Sequence, residues 1–153
     1  MANRMFVGKG GRLGRSLHSA TDKVRKETGK RSGLEVEIER ALKEMAAEFE
    51  TEKEIAAIVY RSRREKKYHP DFRLKNGIII EAKGWFRPAD REKHLCIKYQ
   101  HPELDIRFVF SNARARLGKN SSTTYAQWCA KYGFRFSKGT IPQEWIDEPP
   151  KTL

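Results

Sequence analysis

Leu34, Ile38, Ala41, Leu42, Met45 and Phe49 recur at intervals of three and four residues, which places them on one face of a helix from about Gly33 to Glu48. Ser32, three positions before Glu35, fits the N-cap of a capping box for that helix. The period then changes. The run "EIAAIVYRS", residues 54–62, is apolar and β-branched and reads as an extended segment. A hairpin follows, with Asp71 to Leu74 as one arm, Lys75-Asn76-Gly77 as the turn and Ile78 to Lys83 as the other arm. Pro88 and Asp90 open a second helix that carries His94, Leu95 and Ile97 and stops near Gln100, before His101-Pro102. "DIRFVF", residues 105–110, is a strand, and the order strand, helix, strand predicts a right-handed crossover with 78–83 parallel to 106–110. A third helix, Thr123 to Tyr132, ends at Gly133; a short strand near Phe134 to Phe136 and the closing "IPQEWI" complete the chain. Trp128, Tyr132, Phe134 and Trp145 read as a C-terminal core, and no internal repeat is present. The fold class is α/β, a mixed β-sheet with flanking helices.

Residues 1–30 interrupt this regularity. They are rich in glycine and basic residues, hold only Asp22 and Glu27 as acids and show no apolar period, which reads as a flexible basic N-terminal arm ahead of a domain spanning 31–153. Charge extends the same point to the whole chain. With 32 Lys and Arg against 20 Asp and Glu, 153 residues carry a net charge of +12 and favour a polyanionic partner, nucleic acid before an anionic membrane. No apolar run approaches the ~20 residues of a spanning helix, so a membrane role is not expected. Cys96 and Cys129 lack metal-ligand spacing and read as free thiols of a reducing compartment.

The hairpin carries the chemistry. "YHPDFRLKNGIIIEAKGW", residues 68–85, places Asp71 at its entrance and Glu81 and Lys83 near its exit, where a dry core needs none of them. A two-residue Asn-Gly turn would put Asp71 and Glu81 on opposite faces. A three-residue loop, with Gly77 left-handed in a G1 bulge, sets Asp71 directly across from Glu81 and puts Lys83 on the same face. We expect the second register. Two carboxylates a strand-width apart suit a hard divalent cation against a phosphate, and Lys83 would hold the attacking water or neutralise developing charge. The competing reading is a cross-strand ladder of salt bridges on an exposed face. The cluster Arg61, Arg63, Arg64, Lys66 and Lys67 abuts the hairpin and is a candidate for phosphate contact.

Pro70-Asp71 followed by Glu81-Ala82-Lys83 resembles the signature of the PD-(D/E)xK nuclease superfamily. The segments "RSGLE", "PDF", "NGIIIEAKG", "DREKHL", "QHPELDIRFVFS" and "IPQEWIDEP", in this order, closely resemble the bacteriophage endonuclease I family, the Holliday-junction resolvases of T-odd podoviruses, from about Arg31 to Pro149. The resemblance implies a restriction-endonuclease-like core in a segment-exchanged homodimer that resolves four-way junctions and other branched DNA. It implies Mg²⁺ or Mn²⁺, one or two ions per site, no small-molecule cofactor, and action in the cytoplasm of a bacterial host. By motif, Asp71, Glu81 and Lys83 come from one protomer and Glu35 from its partner, with Asp71, Glu81 and Glu35 as the acidic metal ligands. Residues 54–67 correspond to the bridge between exchanged halves, and Arg31 joins the candidate DNA contacts. Here the bridge lacks proline, the arm before Arg31 is long, and "KTL" stands where the family has a lysine-rich tail.

Of the remaining polar residues, His69 reads as exposed or phosphate-contacting, and His94 as facing solvent or supporting the site from behind. Trp85 and Phe86 read as core or boundary packing. Two rival functions are a superfamily nuclease without junction specificity and a non-catalytic basic DNA-binding module.

Overall fold

The computed structural model describes residues 32–151; the N-terminal arm and Arg31, as sequence expectations, lie outside the described residues. Helix α1 (Gly33–Glu44) begins at Ser32, whose Oγ accepts from the Glu35 amide at 3.3 Å. Strand β1 (Phe49–Thr51) follows, then a separate two-stranded ribbon of β2 (Ile58–Arg61) and β3 (Glu65–Tyr68). The main sheet adds β4 (Phe72–Leu74), β5 (Ile79–Lys83), β6 (Ile106–Phe110) and β7 (Arg135–Lys138), in the order β1-β4-β5-β6-β7. Helix α2 (Pro88–Gln100) makes the crossover from β5 to β6, which run parallel with Ile79 beside Ile106. α3 (Tyr125–Tyr132) leads into β7, and the short α4 (Gln143–Asp147) closes the described chain. The sheet is mixed: β1, β4 and β5 are antiparallel neighbours, and β5, β6 and β7 are parallel.

Strand alternation divides the core into two. Phe72, Ile80, Ala82 and Val109 pack beneath Ile38 and Leu42 of α1 and Trp145 of α4. On the other face Ile79, Phe108 and Phe110 meet Ile97 of α2, Trp128 and Cys129 of α3, Phe86, and Tyr60 and Tyr68 of the ribbon. Each fully buried Ile or Phe contributes roughly 1.5–3 kcal/mol. Helices on both faces bury β5 and β6 almost completely, as parallel strands require. Tyr132 is half-buried, and Trp145 belongs to the core opposite Trp128 and Phe134, so the expected single C-terminal core is two.

The hairpin takes the three-residue loop. Phe72 pairs with Ile80 and Arg73 with Ile79; the Leu74 amide donates to Ile78 O at 2.9 Å, and Gly77 has φ +87°. Asn76 Nδ2 donates to the carbonyls of Trp145 and Glu148 at 2.8 and 2.9 Å, so the C-terminal segment clasps the turn.

Two expectations shift. α1 stops at Glu44, because Ala46 turns to φ 52° and its amide and that of Ala47 return to the carbonyls of Lys43 and Leu42. That is a Schellman closure made without glycine, and it sends Phe49 into β1 opposite Leu74. The strand expected over 54–62 shortens to Ile58–Arg61, since the amides of Glu54 and Ile55 bond back to Thr51 O in a turn. Within the single chain, most of the segment 54–67 forms the β2–β3 ribbon, with Ile58 opposite Tyr68. Gln100 fastens that ribbon to α2 through both polar atoms of the Arg61 backbone, at 2.7 and 2.6 Å.

Candidate active site

Glu81 sits on a strand whose other central residues are apolar, and it is 2 % exposed. A carboxylate so placed costs several kcal/mol in effective desolvation unless charges and donors surround it. They do. Lys83 Nζ stands 2.9 Å from Oε1, Lys93 Nζ lies 3.6 Å away, and the Tyr68 hydroxyl donates to Oε2 at 2.6 Å. Burial pushes the Glu81 acidity one way; Lys83, His94 and Lys93 outweigh it and hold the carboxyl well below its ordinary range.

Asp71 follows Pro70 and immediately precedes β4, and the register sets it across from Glu81. Its Oδ2 accepts from the Ala82 amide at 2.8 Å, in place of a ladder bond between backbones. Burial, then the charge of Glu81, raise its pKa to about 8 despite Lys83. The two carboxylates therefore divide their roles: Glu81 ionised, Asp71 reluctant to share the site with a second negative charge. Burial lowers the proton affinity of Lys83, but Glu81, Asp71 and Asp90 raise it further, so the ammonium is a fixed cation and not a base.

Glu35 reaches the same place from α1. It is buried, its charge contributes to raising Asp71, and its Oε1 accepts from the Ser32 hydroxyl at 3.0 Å. The resemblance implies that a partner chain supplies this glutamate; within the single chain Glu35 lies near Asp71, with Ile38 and Leu42 of the same helix packed on the sheet. Capping and site membership coexist, since the Ser32 hydroxyl serves the helix amide and the carboxylate together.

His94 is not solvent-facing. It is fully buried between Tyr68 and Phe108, with ring centroids 5.3 and 4.9 Å away, and its Nε2 lies 3.5 Å from Glu81 Oε1. Nδ1 has no hydrogen-bond partner, and Nε2 has Glu81 Oε1 only at the outer limit of bonding distance; a buried polar group left unmade costs ~1–3 kcal/mol. The helical pattern around Leu95 hid this, because His94 points inward one residue before the apolar position. Tyr68 carried almost no signal: its role depends on a bond across thirteen positions, and only its place beside "HPDF" pointed to it. His69 is exposed, Phe86 is core, and Trp85 is 48 % exposed with the Arg87 guanidinium 4.9 Å from its ring centroid. Arg61, Arg63, Arg64, Lys66 and Lys67 are all exposed on the β2–β3 ribbon, whose last residue is Tyr68. The ribbon thus leads from a basic surface to the carboxylates.

The donor set fits a hard cation: oxygen ligands from Asp71 and Glu81, with crowded negative charge that a cation would relieve. Among the described residues no three His, Cys, Asp or Glu side chains already converge at ligand spacing. Mg²⁺ is commonly held by one or two carboxylates, waters and substrate phosphate.

A mixed α/β sheet with two carboxylates and a lysine at the open end of a central hairpin has the frame of a nuclease core. The family model described as phage endonuclease I matches residues 17–153. The chain is similar to endonuclease I of Escherichia phage T7, 45% identical over 131 residues that cover 85% of this chain and 87% of that protein. It is likewise similar to endodeoxyribonuclease 1 of Enterobacteria phage T3, 45% identical over 124 residues covering 80% of each. The chain belongs to the phage endonuclease I family and is an endonuclease.

Proposed function

We propose that this endonuclease resolves four-way junctions and trims other branched DNA by divalent-metal-dependent hydrolysis of the phosphodiester. The observation that carries the proposal is the buried juxtaposition of Asp71, Glu81 and Lys83, in which burial and the charge of Glu81 push the Asp71 carboxyl up to about 8. Asp71 and Glu81 would hold Mg²⁺ or Mn²⁺, one ion or two, with Glu35 completing the acidic set. Bound there, the cation supplies Lewis-acid polarisation of the phosphate and activation of the attacking water. Lys83, permanently charged, offsets the negative charge that builds on the phosphoryl oxygens. The exposed basic ribbon holds the backbone, so that shape and not base sequence selects the substrate.

The working form we propose is a homodimer in the cytoplasm of the bacterial host. Two-fold symmetry suits paired nicks in opposite strands of a junction. Exchange of α1 between protomers would put the partner's identical glutamate where Glu35 lies, leaving the composition of each site unchanged.

The test is cleavage of a labelled immobile four-way junction beside a linear duplex of matched sequence, with Mg²⁺ or EDTA, by the native chain and by Glu81→Ala. Symmetric, metal-dependent cuts confined to the junction and lost in the variant are expected. Equal cutting of both substrates would leave a nuclease without junction selectivity. Binding with no metal-dependent cut would make the carboxylates structural and end the proposal.

A further inference from the structure

Two buried side chains touch Glu81 without being candidates for metal or phosphate contact. Tyr68, 2 % exposed, donates its hydroxyl to Oε2 at 2.6 Å, while His94, 0 % exposed, presents Nε2 to Oε1 at 3.5 Å. Their rings meet edge to face at 86°, so each fixes the orientation of the other. His94 also stands edge-on to Phe108 at 84°, and Lys93 Nζ lies 4.9 Å from the centroid of the Tyr68 ring. The two come from different parts of the architecture, Tyr68 from the end of the ribbon and His94 from the middle of α2. Neither element is needed to form the hairpin.

Packing alone does not account for them. A phenylalanine at position 68 would fill the same volume, and the hydroxyl adds only the bond to Glu81. At position 94 an aliphatic side chain would avoid burying one ring nitrogen with no hydrogen-bond partner and a second whose contact with Glu81, at 3.5 Å, is at the limit of a bond. Nε2 faces Glu81 Oε1, the oxygen that Lys83 Nζ holds at 2.9 Å and that Lys93 Nζ approaches to 3.6 Å. A carboxylate that binds an exchangeable cation must give up part of such an ion pair each time the cation arrives. Something other than the lysine has to keep its orientation.

We infer that Tyr68 and His94 are positioning residues that clamp the two oxygens of Glu81 and set the orientation in which this carboxylate meets a divalent cation. The inference rests on the metal-dependent reading of the site. Partners that orient a ligating carboxylate are worth 10–100-fold in metal affinity or activity. Tyr68 is the constant anchor, since Oε2 has the short bond. His94 is the partner that closes when Oε1 moves off Lys83, and its unmade hydrogen bond is the room left for that motion.

The experiment titrates Mg²⁺ against junction cleavage for the native chain, Tyr68→Phe, His94→Leu, His94→Gln and Glu81→Ala. Junction binding in EDTA, Mn²⁺ affinity by calorimetry and urea denaturation are measured on the same proteins. Tyr68→Phe and His94→Leu are expected to weaken Mn²⁺ binding and raise the half-saturating Mg²⁺ about 10-fold or more, with junction binding in EDTA unchanged. His94→Gln, which keeps a donor, should recover part of the loss. His94→Leu should denature at the same or higher urea, since no buried nitrogen remains unpaired. Metal affinity and half-saturation within about twofold of native in both Tyr68→Phe and His94→Leu, while Glu81→Ala is inactive, would overturn the clamp and leave the metal site standing. Full activity of Glu81→Ala would instead remove the metal site on which the clamp depends. If both substitutions lowered the denaturation midpoint and junction binding in EDTA without moving Mn²⁺ affinity, both residues would be structural and the clamp would again fail.

Discussion

Asp71 is where the electrostatics of the site can be read at a single residue. An aspartate free in the unfolded chain has a pKa of about 3.9. In the folded, metal-free chain burial and the Glu81 charge raise it to about 8. Between those values the native state binds the proton and the unfolded state does not, so stability is fullest below about pH 4 and is lost as pH rises through about 8. Urea midpoints measured in EDTA from pH 5 to pH 8 should therefore fall from this residue's contribution, and the fall should flatten in Asp71→Asn. Saturating Mg²⁺ should also flatten it, because a cation replaces the proton as the partner of the carboxylate. A wild-type slope identical to that of Asp71→Asn would show that Asp71 ionises freely. Asp71, Glu81 and Lys83 were legible in the chain because their spacing, together with one turn geometry, fixes a shared face. Tyr68 and His94 were not, because what makes them part of the site is distance in space with no period in sequence.

Among the elements, the same physics explains one expectation met and one missed. Gly77 marked its own turn: φ +87° is open to glycine, and the three-residue loop followed. Ala46 adopts φ 52° at the end of α1 with no glycine to advertise it, so the apolar spacing ran on through Met45 to Phe49 and concealed the helix end. The crossover β5–α2–β6 was legible because strand, proline-opened helix and strand leave only one handed solution. The ribbon was not, since Ile58 to Arg61 can pair with any neighbour, and what fixes its place is distant in sequence: Gln100 on the Arg61 backbone, His101 on Val59 O, and the burial of Tyr60 and Tyr68. The two left-handed positions give opposite mutations. Ala46→Gly, at an exposed site, should raise stability by up to about 1 kcal/mol by relieving the Cβ penalty. Gly77→Ala should lower it by about 1 kcal/mol or more and slow cleavage by disturbing the register that aligns Asp71 with Glu81. Denaturant midpoints at constant m value check both signs, and a stabilised Gly77→Ala would contradict the bulged turn.

For the whole molecule the decisive quantity is charge. A chain of net charge +12 attracts any DNA, so affinity by itself says little about which DNA is cut. Specificity must come from where the cations stand relative to the carboxylates, and the ribbon offers five exposed basic residues, on its two strands and the turn between them, ending at Tyr68. If those residues bind phosphates, neutralising each one should reduce the slope of log affinity against log salt by about 0.9. The variant Arg63→Gln, Arg64→Gln, Lys67→Gln leaves the Gln100 clasp on Arg61 and the buried tyrosines intact, so the fold should persist. Fluorescence anisotropy in EDTA between about 50 and 200 mM salt should show weaker binding to junction and duplex alike, with a shallower slope for both. A ribbon that reads the junction's shape would behave differently, losing affinity for the four-way substrate alone while duplex binding and its slope stayed put. An unchanged slope for both substrates would move the phosphate contacts off the ribbon and onto other basic surface, and DNA would then reach the carboxylates from another side.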